Sequence, residues 1–347
     1  MKLSVVIPTY NDEATIAGTL ESVFAQRFDS PFEVIVVNDG STDGTRAVLG
    51  KFGEQIRVID QTNAGVAAAR NAGIRAATGE YVALLDADDT WIDGMLAKTV
   101  PVLDRCPACV AVFTDGMEVD GAGRVIKPNY VEPGCDHAPT LDEMLGGRPW
   151  PILVGSIIIR RETLLAIGGF PDEFNAEHWG GEDTFIYLLV RERGEFAYVP
   201  EALIRHRLRE FHAHFASRLR NRRFEIDSAE AFREFERRFG GHAVLAKLAL
   251  EHFGARGRKI ARWAIDRIAN ELVTVGLMAM HEGNTGLARR CYRASIRYRP
   301  LMLKTYLRLG WAMLPVKISQ AISPMLAPEM RRSLSGPPFS IVQNQAQ

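Results

Sequence analysis

Residues 81–90 read YVALLDADDT, an apolar run that leads directly into three carboxylates, Asp86, Asp88 and Asp89. The apolar half predicts a buried β-strand, and a strand is a rigid support for the side chains that follow it. Carboxylates crowded at one strand end repel each other unless a hard cation joins them, so the pattern indicates a metal site. The alternative is an acidic turn that caps the next helix, and this stretch by itself favours neither interpretation.

Apolar, β-rich runs recur on both sides of this stretch, with helical patterns between them. They are LSVVI (3–7), EVIVV (33–37), IRVI (56–59), VAVF (110–113) and ILVGSIIIR (152–160). The alternation predicts βαβ units, and therefore an α/β fold whose mostly parallel sheet has right-handed crossovers and is flanked by helices. Between the first two runs, an apolar stripe at helical spacing predicts a helix that Asn11 or Asp12 caps.

Polar clusters follow three of the predicted strands. They are PTYND at 8–12, NDGSTDG at 38–44 and DADD at 86–89. In sheets of this kind ligands bind beyond the carboxyl ends of the strands. The sequence therefore predicts that these clusters meet at one edge of the sheet and form a ligand site there.

The composition of the 347 residues bounds the class of protein. The length predicts one main domain and an appendage of about a hundred residues. The start KLSVVIP lacks the features of a signal peptide, and no apolar run approaches the ~20 residues of a membrane span, so we expect a cytoplasmic protein. Four cysteines are too few for a disulfide framework in a chain this long. Cys106 and Cys109 lack a second ligand pair for zinc, so we assign them to a helix end without a redox or metal role.

The formal net charge of zero hides a division of charge along the chain. Residues 1–204 contain 16 Lys and Arg and 31 Asp and Glu, a net charge of −15, whereas residues 205–347 contain 26 and 11, a net charge of +15. An acidic half suits cations, and a basic half suits anionic surfaces such as phosphates or lipid head groups. The alternative is mutual neutralisation between two packed halves.

Four segments together resemble family 2 of the nucleotide-sugar glycosyltransferases, a large inverting family with the GT-A fold. They are SVVIPTYND, VIVVNDGSTDGT, NAGVAAARNAGIRAATGEYVALLDADD and WGGEDTFIYLLVRERG, in the order of the family. The resemblance covers roughly residues 3–206 and implies a GT-A, Rossmann-like domain over 1–206. It implies a metal-dependent hexosyltransferase that uses a nucleotide sugar, with UDP as the nucleotide and Mn²⁺ or Mg²⁺ as the cation. A non-catalytic carbohydrate- or nucleotide-binding module on the same fold is the alternative.

The resemblance assigns donor contacts to the ends of the first two strands. Asp39 matches the aspartate that accepts a hydrogen bond from the uracil imide, and its alternative role is to form the NDGSTDG turn. Pro8, Thr9 and Tyr10 end the first strand, with Tyr10 as a stacking wall for the base. Glu13 is a ribose contact, or else a first-turn carboxylate that the helix dipole favours.

Two further donor contacts lie in NAGVAAARNAG, where small residues permit close backbone approach to a ligand. They are Asn63 and Arg70. The guanidinium of Arg70 contacts the diphosphate or braces the acidic cluster, and the alternative is an ordinary surface ion pair.

In DADD the first and third positions match the DxD motif of the family. Asp88 is the candidate metal ligand, Asp86 contacts the ribose or supports the site, and Asp89 assists the metal through water. A hard cation there bridges two phosphates and offsets the charge that develops as the nucleoside diphosphate leaves. His206, after the predicted strand YVPEALIRHR, is a further candidate ligand, or else an isolated surface residue between two arginines.

The segment WGGED supplies the proposed base. Asp183 matches the catalytic base of the family, which takes a proton from the acceptor hydroxyl during in-line attack and inversion. A helix N-terminus lowers the pKa of a carboxyl group there, whereas burial and the neighbouring Glu182, the second candidate catalytic residue, raise it. The alternative is a pair of carboxylates that the helix dipole stabilises. Trp179 flanks a sugar ring or fills the core.

Beyond the resemblance we predict a basic helical connection over 207–242, a helical region over 243–336 and a disordered tail over 337–347. EGNTGLARRCYRASIRYRP (282–300) resembles half of a tetratricopeptide hairpin, and LMLKTYLRLGWAMLP (301–315) has the profile of an interfacial helix. The second interpretation predicts peripheral contact with an anionic membrane, where a lipid-linked acceptor for a surface polysaccharide or glycolipid is found. No binding module for nucleic acid accompanies the charge, so we expect no nucleic-acid partner.

Overall fold

The structure is a computed structural model that describes residues 1–132, 134–147, 149–178, 180–208, 229–281, 284–301, 305, 306, 308, 309 and 313. At 229–239, 278 and 281 it describes the backbone alone. The predictions for Trp179, for most of the basic connection, for most of the interfacial helix over 301–315 and for the tail lie outside the described residues.

One sheet of nine strands organises the first part of the chain. The strands are β1 (Leu3–Thr9), β2 (Phe32–Asn38), β3 (Arg57–Asp60), β4 (Tyr81–Leu84), β5 (Thr90–Trp91), β6 (Cys109–Val119), β7 (Val125–Lys127), β8 (Ile157–Arg160) and β9 (Glu195–Arg207). Their order is β3-β2-β1-β4-β8-β6-β9-β5, and β7 pairs with β6 outside this path.

Helices connect and follow the strands. They are α1 (Ile16–Phe24), α2 (Thr45–Gly50), α3 (Val66–Ala76), α4 (Met95–Arg105), α5 (Leu141–Met144), α6 (Arg161–Ala166), α7 (Glu182–Arg193), α8 (Ala229–Phe253), α9 (Arg258–His281) and α10 (Thr285–Tyr298). Short 3-10 turns cover Gly53–Gln55 and Val154–Ser156. The predicted α/β fold with a helical C-terminal region is confirmed.

The parallel character of the sheet resides mainly in its first four strands. β1 pairs in parallel with β2 and β4, and β2 pairs in parallel with β3. β8 runs antiparallel to both β4 and β6, whereas β6 and β9 are parallel. Because Thr9 lies opposite Asn38 and Val6 opposite Leu84, the polar clusters that follow β1, β2 and β4 meet at one edge, as predicted.

Both faces of the parallel half are covered. Every residue of β1 and β4 is buried, which explains their continuous apolar runs. α3 packs closely on β1, because a Cβ added at Gly73 would collide with the side chain of Val6. This contact needs glycine at that position.

The turn before α1 differs from the prediction. The helix begins at Ile16 with Thr15 at its N-cap and no side-chain cap, so neither Asn11 nor Asp12 caps it. Asp12 instead accepts hydrogen bonds from the Thr9 hydroxyl and the Tyr10 N–H. The polar cluster after β1 contacts the polar cluster after β2, since the Asn11 N–H donates to the Ser41 hydroxyl. This contact between the clusters determines the conformation of the turn.

The cysteine prediction is correct in position and wrong in chemistry. Cys106 follows the last turn of α4 and Cys109 begins β6, as the predicted helix end requires. The two residues form a disulfide, with Cα atoms 5.3 Å apart. The bend from helix to strand brings the two Cα atoms into the range that a disulfide spans.

The chain divides into two compact units. The first contains the described residues up to 208 together with 235–261, and the second contains the other described residues. Within the second unit α9 and α10 pack as a hairpin in which the Tyr292 ring lies against Gly276 and the Asn284 side chain accepts from the Leu287 N–H. In the described part of the chain, no helix has the length and apolarity that crossing a bilayer requires.

Candidate functional site

Asp39 is positioned directly after β2 and is 3% exposed. Its Oδ1 accepts from Gln61 Nε2 (2.7 Å) and from the Ala64 N–H (2.9 Å), and its Oδ2 accepts from the Gly65 N–H (2.9 Å). A carboxylate offers about four lone-pair positions, so one on Oδ2 stays available for a further donor such as an imide N–H. Asp39 therefore organises the 61–65 segment and can still accept from a ligand.

The segment that Asp39 holds also contacts the loop before α7. Gly65 has a positive φ of 93°, and a Cβ there would lie 2.6 Å from the backbone of Asn175 and Ala176. A glycine is required because the two backbones touch. Asn63 lies exposed in the same segment, with its N–H beside Gly40.

The residues at the end of β1 differ in exposure. Pro8 and Thr9 are buried, whereas Tyr10 is 45% exposed and presents its ring at the surface. Glu13 is exposed, and its Oε2 accepts from the N–H of Gly44, the N-cap residue of α2 (2.6 Å). The dipole alternative for Glu13 therefore applies to α2 and not to α1, and its ribose contact stays a prediction.

Arg70 links the acidic turn to the start of α7. It is 2% exposed, with Nη2 donating to Asp86 Oδ1 (2.7 Å) and Nη1 donating to Glu182 Oε1 (3.2 Å). Its guanidinium also lies 5.5 Å from the ring centroid of Phe170. Burial lowers the pKa of Arg70, but the charges of Asp86 and Glu182 more than offset this and raise it. The alternative of an ordinary surface ion pair is wrong, because the bridge is buried.

Hydrogen bonds from α1 and from β9 hold the backbone of the acidic turn. The Thr19 hydroxyl of α1 donates to the carbonyls of Ala87 and Asp89 at 2.9 and 2.8 Å. Asp88 is 8% exposed, and its carbonyl accepts from Arg207 Nε (3.3 Å). Asp86 keeps part of its side chain exposed beside Arg70. The turn is thus a rigid part of the sheet edge.

Asp89, which is buried, pairs with the half-buried His206 of β9. The Asp89 carboxylate accepts from the Arg207 N–H (2.8 Å), and His206 Nδ1 lies 3.1 Å from both of its oxygens. Burial lowers the pKa of His206, but Asp89, with smaller contributions from Asp86 and Asp88, raises it to about 9. Burial raises the pKa of Asp89. The alternative of an isolated surface histidine is wrong.

Asp88, Asp89 and His206 have the ligand types that a divalent cation takes, but their ligand atoms are not close enough together to form a complete coordination site. A histidine that ligates a metal usually holds a carboxylate on its other nitrogen, as His206 holds Asp89. Carboxylate and imidazole together suit Mn²⁺ better than Mg²⁺. Among the described residues, the ligand atoms of Asp88, Asp89 and His206 do not all lie within 4.8 Å of one another, whereas those of Cys106, Cys109 and Glu195 do. In the latter group the two sulfurs are joined to each other.

Glu182 and Asp183 open α7 after Gly181, whose φ is 95°. Glu182 is buried, and its Oε2 accepts from the Gly180 N–H (2.8 Å) while its Oε1 accepts from Arg70. Asp183 Oδ1 accepts from the Thr184 N–H (2.6 Å). Burial first, and then the charge of Glu182, raise the pKa of Asp183 to about 6. Asp183 is therefore the better base of the two, since both oxygens of Glu182 are already engaged.

Sequence reasoning missed two residues of this region. Asp115 is buried in β6 and accepts from the N–H groups of Tyr130 and Val131, which brings the Tyr130 ring against His206. The signal was an aspartate inside an apolar strand. Tyr187 is buried on α7 one turn beyond Asp183, and its signal was the i, i+4 spacing.

A separate cleft of about 410 Å³ lies among α6, α7 and α8. It contains none of the predicted site residues. Its lining consists of Ala166, Ile167, Phe185, Leu189, Glu192, Arg193, Leu248, Glu251 and His252.

Comparisons with known proteins show what this chain is similar to. Residues 4–163 match the family described as glycosyl transferase family 2. An uncharacterized glycosyltransferase of Nostoc sp. is 45% identical over 106 residues, which cover 29% of this chain and 33% of that protein. An uncharacterized protein of Mycobacterium bovis is 32% identical over 222 residues, 61% of this chain and 59% of that protein. The chain thus spans less than two thirds of the length of these curated relatives.

A solved structure shares the fold at low sequence identity. The crystal structure of S. aureus TarS residues 1–349 in complex with UDP-GlcNAc has a TM-score of 0.50 and 19% identity, and the match covers 95% of this chain and 92% of that one. Residues 4–163, which contain the polar clusters after β1, β2 and β4, are therefore the part of the chain that is similar to glycosyl transferase family 2.

Proposed function

We propose that this chain is an inverting glycosyltransferase that moves a sugar from a UDP-sugar to a hydroxyl group of a saccharide or a lipid-linked acceptor. The observation that carries the proposal is the buried bridge of Arg70, which joins the acidic turn at Asp86 to Glu182 at the start of α7. Asp183, the candidate base, lies on α7. The bridge joins the start of α7 to the acidic turn, which is the candidate diphosphate site. A transferase needs both groups in one site.

On the donor side the loops after β1 and β2 hold the nucleotide. Asp39 accepts from the uracil imide through its available lone pair, and the exposed ring of Tyr10 stacks on the base. Pro8 and Thr9 line the base of the nucleotide site, and Glu13 and Asn63 lie beside the ribose. Two structures of TarS contain UDP-GlcNAc and UDP, so these ligands are the first probes for this chain.

Asp88, Asp89 and His206 would hold Mn²⁺ or Mg²⁺, with Asp86 in support. A cation held by these residues would supply positive charge that offsets the charge developing on the leaving nucleotide. Asp89 holds His206 through Nδ1, so Nε2 would be the ligand atom once the imidazolium gives up its Nε2 proton on metal binding.

The chemical step uses Asp183 as general base. Asp183 takes the proton of the acceptor hydroxyl as that oxygen bonds to the anomeric carbon, and the bond from the anomeric carbon to the diphosphate oxygen breaks on the opposite face. A pKa of about 6 keeps Asp183 ionised at neutral pH and still basic enough to accept the proton. Glu182 and Arg70 hold the start of α7 in place.

Release of UDP from UDP-GlcNAc in the presence of Mn²⁺ tests the proposal. We expect release by the wild type, loss in Asp88→Ala and Asp183→Asn, and no change in Asp93→Ala, which alters an exposed carboxylate. UDP binding that survives in Asp183→Asn without release supports the base. A non-catalytic binding module would bind UDP but would form no UDP from any UDP-sugar.

We place the enzyme in the cytoplasm, at the inner face of the membrane, as part of surface polysaccharide or glycolipid synthesis. The support is α10, where Arg290, Arg293 and Arg297 are exposed at i, i+3 and i+7, followed by the exposed Leu301. The described residues support an anionic partner for this face. Flotation with vesicles rich in phosphatidylglycerol tests this. We expect charge reversal of the three arginines to abolish flotation with the vesicles while UDP binding is kept.

A further inference from the structure

Tyr187 presents an unexplained polar group inside the candidate active site. The residue is 3% exposed, and its hydroxyl is buried with no hydrogen-bond partner among the described residues. A buried hydroxyl without a partner is costly, so a retained one needs a reason. Phenylalanine would fill the same space without that cost.

Tyr187 lies on the same face of α7 as the candidate base, one turn further along the helix. Asp183 and Tyr187 are four residues apart and share one face of the helix. Long side chains in helices point back toward the N-terminus, over the preceding turn, and this direction carries the ring toward Asp183. The charges of Asp183, Arg70, Asp86 and Glu182 all act on the pKa of Tyr187, which burial above all raises well beyond its ordinary value. The hydroxyl therefore stays protonated and can act only as a neutral donor or acceptor.

The carboxylates around this hydroxyl differ in the donors they already hold. Glu182 receives Arg70 and the Gly180 N–H on its two oxygens. Asp86 receives Arg70. Asp183 receives the Thr184 N–H and hydroxyl, both on Oδ1. Oδ2 of Asp183 is thus the acceptor on this helix face that best suits another donor.

We propose that the Tyr187 hydroxyl is a positioning group that donates a hydrogen bond to Oδ2 of Asp183 in the donor-bound enzyme and so orients the carboxylate for proton transfer. This inference rests on the proposed function of Asp183 as base. No bond to carbon forms at Tyr187, and the transferred proton goes from the acceptor hydroxyl to Asp183. A hydrogen bond to the ionised form also favours that form, so Tyr187 opposes the effect of burial and of Glu182 on Asp183.

Carbon-13 NMR of the full chain labelled at aspartate carboxyl groups, with UDP and Mg²⁺ present, measures the titration of Asp183. Asp183→Asn assigns its resonance. Tyr187→Phe should move the midpoint upward by about one pH unit, since a hydrogen bond to a charged group is lost. Tyr292→Phe is the matched control, because it removes another buried hydroxyl that has no hydrogen-bond partner in the described part of the chain and lies far from Tyr187 in sequence. An unchanged midpoint in Tyr187→Phe, or an equal shift in the control, overturns the proposal.

The pH profile of kcat for UDP release is the second measurement. In Tyr187→Phe the acid limb should move upward by about the same unit, with the KM for the donor unchanged. A fluorotyrosine at position 187 keeps the packing with a more acidic hydroxyl and should move the limb the other way. A uniform loss of kcat at every pH in both variants would indicate packing alone and overturn the proposal. If Asp183→Asn still releases UDP, the proposed base fails, whereas the NMR shift judges the Tyr187 contact independently.

Discussion

Arg70→Met removes the cation that joins Asp86 to Glu182. Loss of one partner of a buried ion pair costs about 3–5 kcal/mol, because the other charges stay buried without compensation. Asp86 keeps about a quarter of its side chain exposed, with 26% accessible, and water screens its charge. We therefore expect the lower end of the range, about 3 kcal/mol, for the first compact unit.

Amide hydrogen exchange measured by mass spectrometry reads this loss within the unit itself. Peptides that cover β1 and β4 report the opening of the buried sheet, and a deficit of about 3 kcal/mol makes their slowest amides exchange about 150-fold faster. Arg46→Met is the matched control, since the ion pair of Arg46 with Asp60 is half exposed on both sides. An exposed pair contributes at most about 1 kcal/mol, so the control should accelerate exchange less than about sixfold.

Loss of the guanidinium leaves the carboxylates of Asp86 and Glu182 without the cation that lies between them. The deficit should therefore exceed that of an exposed ion pair. A deficit equal to that of Arg46→Met would refute the buried bridge.

Three further outcomes follow from the site and from α4. UDP release by the wild type should rise through about pH 6, where Asp183 loses its proton, and a rate that is flat from about pH 5 to 8 would contradict its role as base. Asp39→Asn should weaken UDP binding in calorimetry by about tenfold or more, because a charged acceptor is lost, and an unchanged Kd would exclude the imide contact. Replacement of Cys106 and Cys109 by serine should lower the free energy of unfolding by at most about 2 kcal/mol, since the loop that the disulfide closes is very short. Urea unfolding measures this, and a loss larger than about 2 kcal/mol would contradict the expectation from the short loop.

Much of the fold and part of the site follow from local patterns. The apolar runs predicted β1, β2, β3, β4, β6, β8 and β9, although the start of ILVGSIIIR is a 3-10 turn at Val154–Ser156 and the strand begins at Ile157. The two strands that were missed, β5 and β7, have two and three residues, too few for a period to be read. The antiparallel pairing of β8 with β4 and β6 was also missed, because strand direction depends on the connections between strands and not on the strand itself.

The sequence by itself determined which chemistry this edge of the sheet carries. A strand that ends in DADD and two neighbours that end in PTYND and NDGSTDG must present carboxylates together, since parallel strands finish at the same edge. The residue types of these clusters and their order along the chain are given by the sequence directly. The alternation of apolar and polar residues predicts the strands that carry them.

Only the tertiary structure decided how the carboxylates divide their tasks. Arg70 reaches Asp86 and Glu182 across 16 and 112 residues of sequence, and His206 reaches Asp89 across 117. No local pattern encodes such pairs, because they exist only after the sheet and α7 have packed. Burial then raises the pKa of Asp183, where the helix terminus alone would have lowered it. The stretch YVALLDADDT predicts an acidic edge, and the packed structure decides that Asp86 pairs with Arg70 and Asp89 with His206.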